Sequence, residues 1–69
     1  MTRAEHLAWA KQRALEYLPS EPVTAISSML SDLNEHRDLQ NHPGMVMSPM
    51  AYGRHNDPAE VRNWIKGFN

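Results

Sequence analysis

Between Val23 and Leu33 the chain carries one unbroken apolar stripe. Val23, Ile26, Met29, Leu30 and Leu33 recur at steps of three and four residues, and Thr24, Ser27, Ser28, Ser31 and Asp32 fall between them. That period belongs to a helix with one dry face and one wet face. A lone helix cannot keep such a stripe from water, so the flanking segments must supply partner faces. With 69 residues there is room for one domain, residues 1–69, and one small shared core. The chain has no cysteine, which removes disulfides and cysteine-based zinc sites as supports. A core of this size supplies roughly 3–5 kcal/mol, so regular helix packing or self-association must carry the fold, and a homo-oligomer is expected.

The first partner face lies upstream. Thr2-Arg3-Ala4-Glu5 has the form of a capping box, which starts a helix almost at residue 1. Leu7, Ala10, Ala14, Tyr17 and Leu18 form its apolar stripe, with Trp9 beside it and Arg13 one turn on, placed to lie over the indole. Pro19 ends this helix at about Leu18. Ser20 reads as the N-cap of the second helix, with Glu21 and Pro22 in its opening. A connection of a residue or two makes the pair an antiparallel helical hairpin.

The second partner face lies downstream of a change in character. From Asn34 to Gly44 the pattern dissolves into a polar surface loop with Leu39 as its one large apolar group, closed by the turn signal Pro43-Gly44. Met45, Val46, Met47, Met50, Ala51 and Tyr52 follow, interrupted by Ser48-Pro49, so a helix here is short or broken, with Gly53 as its C-cap. Asp57-Pro58-Ala59-Glu60 opens a last helix, whose Val61, Trp64, Ile65 and Phe68 share one face, with Gly67 at its end. The expected architecture is all-α: a compact bundle of three to four short helices beginning with the hairpin.

Function is less legible. Seven Lys and Arg against eight Asp and Glu give a net charge of −1, which argues against a nucleic-acid partner. No apolar run approaches the ~20 residues of a membrane span, and the chain opens with no targeting signal. The four histidines, His6, His36, His42 and His55, include no i, i+4 pair, so no metal site or cofactor is expected; His36-Asp38-His42 is the one local cluster to test. Glu16, Glu21, Asp32 and Glu35 read as solvated charges, and the serines occupy no strained or glycine-rich setting, so no catalytic residue is assigned and the protein is not read as an enzyme. Two surfaces stand out. Met45, Met47, Met50 and Tyr52 form a methionine-rich segment suited either to filling core gaps or to an adaptable partner-binding surface. Arg54, Arg62 and Lys66 form the best basic patch, the alternative being that they hold a nucleotide.

Several stretches carry a resemblance. The opening Met1-Thr2-Arg3-Ala4-Glu5-His6-Leu7-Ala8-Trp9-Ala10-Lys11-Gln12-Arg13-Ala14-Leu15-Glu16-Tyr17-Leu18, then Ser27-Ser28-Met29-Leu30-Ser31-Asp32-Leu33, His42-Pro43-Gly44, Pro58-Ala59-Glu60-Val61-Arg62 and Gly67-Phe68-Asn69 resemble a family of very small accessory proteins of tailed bacteriophages. Ser48-Pro49 departs from that pattern, which has an uninterrupted methionine-rich helix there. The family has no established activity, so the resemblance transfers no functional residue. It implies a small protein in the cytoplasm of the infected host that binds and inhibits a host or anti-phage defence protein. Sequestering a defence signalling nucleotide, or a minor virion or assembly role, are the alternatives.

Overall fold

The computed structural model describes residues 2–68, and of Tyr52 the backbone alone. Four α-helices and one 3₁₀ turn follow in order, with no strand among the described residues: α1 (Arg3–Leu15), α2 (Pro22–Asn34), α3 (Pro43–Val46), the 3₁₀ turn Pro49–Tyr52, and α4 (Pro58–Gly67). The all-α bundle expected from the periodicities is the fold observed.

Local chemistry sets most of the boundaries. The capping box at the start of α1 is complete: Thr2 Oγ1 accepts from the Glu5 N–H at 3.1 Å, and the Thr2 N–H donates to Glu5 Oε1 at 2.9 Å. The helix ends at Leu15, with Glu16 as its C-cap, three residues before the expected end. Residues 16–20 are turns tightened by Tyr17 N–H to the Ala14 carbonyl and Leu18 N–H to the Leu15 carbonyl, both 3.1 Å. Pro19 disfavours a helical Leu18 and offers no N–H of its own, so the chain leaves the helix before reaching it. The α1–α2 connection is therefore residues 16–21, longer than a residue or two. Ser20 is not the cap of α2. Pro22 takes the first helical position, where its missing N–H costs nothing, and the cap falls to Glu21, which makes no side-chain bond to the helix.

The hairpin packs tightly because α1 presents small residues. Ala10 and Ala14 are fully buried against α2, whose Ala25, Ile26, Met29 and Leu33 are fully buried in return. The buried arc of α2 is rotated from the one its apolar residues suggest. Val23 lies ~120° round from Met29 at 100° per residue and is 38% exposed, whereas Asp32, expected on the wet side, is 4% exposed.

The polar loop is not merely surface. Asn34, Glu35, Arg37, Asp38, Gln40 and Asn41 are exposed, but Leu39 drops into the core with no exposed surface. The following segment is broken as expected: α3 lasts one turn, Met47 leaves helical geometry at φ −94°, ψ 29°, and Ser48 and Pro49 are buried. Gly53 closes the 3₁₀ turn in the left-handed region, φ +73°, that glycine occupies without strain.

Asp57 caps α4 as expected, its Oδ1 accepting from Ala59 and Glu60 N–H at 3.0 and 3.4 Å. Val61, Ile65 and Phe68 are buried and α4 lies against both α1 and α2. Gly67 stays helical; the helix ends instead because Phe68 turns extended, φ −66°, ψ 137°, to reach the core.

Candidate interaction surface

The methionine-rich segment divides in two. Met45 is half-buried against the core, while Val46 is 76%, Met47 65% and Met50 50% exposed. What holds them out is the anchoring of the backbone around them. Upstream, the Trp64 indole N–H donates to the Gly44 carbonyl at 2.8 Å, and the Phe68 ring packs so close to Gly44 that a Cβ there would fall 2.7 Å from it. Downstream, buried Ser48 and Pro49 tie the chain down between Met47 and Met50. One turn of helix followed by one 3₁₀ turn, both fixed at their inner sides, therefore carries three large apolar side chains into solvent. Isolated exposed apolar residues are ordinary; here three of them lie within five residues of one fixed segment. Of the residues expected to bind a partner, Met47 and Met50 are on this ridge and Met45 is on the core side. The side chain of Tyr52 lies outside the described residues. Val46, the most exposed of all, was missed, since a valine between methionines carries no signal for which way it faces.

The basic patch is partly committed elsewhere. Arg54 is engaged by Glu60, Nη1 to Oε1 at 3.2 Å, while Arg62 and Lys66 are exposed on α4 one turn apart. Lys11 reaches across from α1 to the end of α4, its Nζ donating to the Phe68 carbonyl and, at 3.4 Å, to that of Lys66. These bonds satisfy carbonyls that a helix terminus leaves without partners.

Two of the histidines, His36 and His42, serve the turns they sit in, whereas the buried His55 Nδ1 has no hydrogen-bond partner among the described residues. His36 Nδ1 accepts from the Asp38 N–H at 3.1 Å and His42 Nδ1 from the Gly44 N–H at 3.0 Å, so each ring closes its own local turn. Among the described residues no group of three or more His, Cys, Asp or Glu is arranged to hold a metal ion.

A polar cluster that the sequence hides under its helical pattern lies between α1 and α2. His6, 8% exposed, donates through Nε2 to the Asp32 carbonyl at 2.5 Å, since a carbonyl oxygen can only accept. Its ring lies 5.1 Å from both Trp9 and His36. Arg13 sits 4.8 Å above the Trp9 ring, as its one-turn spacing implies, and its Nε is 3.2 Å from Asp32 Oδ2. That contact is an ion pair rather than an aligned hydrogen bond. Burial pushes the Asp32 carboxyl above its ordinary range; the Arg13 guanidinium opposes the shift, Glu35 adds to it, and His6 opposes it. The cluster fastens α1 to the end of α2.

Two hollows lie on the surface of the described residues. One, of about 200 Å³, is lined by His42, Gly44, Asn63, Trp64, Gly67 and Phe68; the other, of about 340 Å³, runs along Ala4, Leu7 and Ala8 between Arg3 and Lys11 and ends at Phe68. Both are at or below the small end of the range for small-molecule sites. No helix among the described residues is long and apolar enough to cross a membrane. Comparison with protein-family models, with curated proteins and with solved structures finds no match for this chain.

Proposed function

We propose that this chain is a small phage accessory protein that acts by binding another protein, a component of the host or of its anti-phage defence, and inhibiting it. The observation that carries the reading is the ridge: Val46, Met47 and Met50 are held in solvent by a backbone whose neighbours Leu39, Ser48 and Pro49 are buried. Methionine suits such a surface because its unbranched, polarizable side chain adapts to the partner's shape. The place of action, the cytoplasm of an infected bacterium, and the phage origin follow from the family resemblance. Self-association belongs to the same ridge, since a second copy is one apolar surface that could cover it.

The experiment is affinity capture from host lysate with the full chain and two variants. A partner retained by the wild type and by Arg62→Ala, but lost with Met47→Glu, is the expected result. A partner retained by Met47→Glu and lost with Arg62→Ala moves the function to the basic patch and the nucleotide reading. No specific partner for the wild type sinks the proposal. Sedimentation of the wild type and Met47→Glu tests the oligomer: an assembly that survives the substitution does not use the ridge.

A further inference from the structure

The methionines of the described residues occupy three environments. Met29 has no exposed surface, Met45 is half-buried, and Met47 and Met50 are 65% and 50% exposed. A thioether has no proton to lose, so its reactivity toward an oxidant is set by access rather than by ionisation. We infer that Met47 and Met50 are a paired site of oxidation by peroxide, one that turns the ridge from apolar to polar while the fold stands. The consequence for partner binding rests on the reading of the ridge given above; the chemistry does not.

In the step itself a sulfur lone pair attacks one oxygen of hydrogen peroxide. The S–O bond forms as the O–O bond breaks, and the departing hydroxide collects the proton carried by the transferred oxygen and leaves as water. Sulfur is oxidised by two electrons and the peroxide is reduced. The product is a sulfoxide, polar and chiral, which thiol-dependent reductases return to the thioether. The backbone that displays Met47 and Met50 is anchored at other residues: Gly44 against Phe68, and buried Ser48 and Pro49. Two sulfoxides three residues apart make two of the ridge's three exposed apolar side chains polar and leave Val46 unchanged. Met29 is reached only when the bundle opens, which its place in the core opposes.

The test treats the full chain with graded hydrogen peroxide and follows each methionine by peptide mass mapping. Met47 and Met50 are expected to oxidise on the order of tenfold sooner than Met29, with Met45 between. The doubly oxidised protein keeps its circular dichroism spectrum and unfolding midpoint but is retained less on a phenyl column. A Met47→Gln, Met50→Gln double variant, polar without oxidation, shows the same reduced retention and no further loss with peroxide. Oxidation of Met29 in step with Met47 and Met50, unfolding of the oxidised protein, or unchanged retention would each overturn the inference. Selective oxidation together with partner capture that survives Met47→Glu leaves the oxidation site standing and removes the binding role; uniform oxidation with ridge-dependent capture does the reverse.

Discussion

At the scale of single residues, Gly44 and Gly67 make opposite predictions from the same atom. A Cβ on Gly44 would fall 2.7 and 2.9 Å from two carbons of the Phe68 ring, which is itself buried and cannot retreat freely. Gly44→Ala should destabilise by about 1–3 kcal/mol, as overpacking does. A Cβ on Gly67 meets nothing within 4 Å, and the residue is helical, so Gly67→Ala should be neutral or stabilise by up to ~1 kcal/mol. Thermal unfolding of the two variants reads both signs.

Two carboxyls also pull in opposite directions with pH. Asp32 has its pKa raised from the ordinary 3.8, so the folded protein holds its proton more tightly than the unfolded chain; its contribution to stability is largest in acid and falls as pH rises through the raised value. Glu5 has its pKa lowered from 4.5, first by its bond to the Thr2 backbone and then by the Thr2 hydroxyl. Its contribution is present above 4.5 and is lost as pH falls through the lowered value. The stability of Asp32→Asn relative to wild type should therefore rise between acid and neutral pH, and that of Glu5→Gln should fall. Denaturant titrations at a series of pH values measure both slopes; a slope of the other sign for either variant contradicts the assigned environment.

At the scale of elements, what the sequence makes legible is local chemistry. The Thr2–Glu5 box, the Asp57-Pro58 start and the break at Ser48-Pro49 each depend on residues within a few positions of one another, and each stands where its spacing puts it. Quantities set by how two elements meet are less legible. The exposed Val23 and the buried Asp32 exchange the places their polarity suggests, because α1 settles over the Ala25–Met29 side of α2 through its own small Ala10 and Ala14. Leu39 is the clearest case: one leucine among polar residues has no periodicity to announce it, and yet it is fully buried. Leu39→Ala should cost about 2–5 kcal/mol, comparable to the whole stability expected of so small a domain, whereas replacing exposed Arg37 or Gln40 by alanine should change little. Removing the α4 cap with Asp57→Ala should cost ~1 kcal/mol, read by the same unfolding assay.

At the scale of the whole molecule, the three longer helices bury most of their apolar faces on one another, and the connecting segment between α2 and α4 carries the most exposed large apolar side chains among the described residues. Its inner residues, Leu39, Ser48 and Pro49, belong to the core, and its outer ones, Val46, Met47 and Met50, do not. The methionine-rich composition was visible in the sequence, but its division between inside and outside depends on the Gly44–Phe68 and Trp64–Gly44 contacts, which join residues about twenty positions apart. The direct measurement is a methyl spectrum of the protein labelled at its methionine methyl groups, recorded with a soluble paramagnetic relaxation agent. Strong broadening of the Met47 and Met50 methyls, little effect on Met29 and an intermediate effect on Met45 is the result this account predicts. Protection of Met47 and Met50 equal to that of Met29 in the monomer would contradict it.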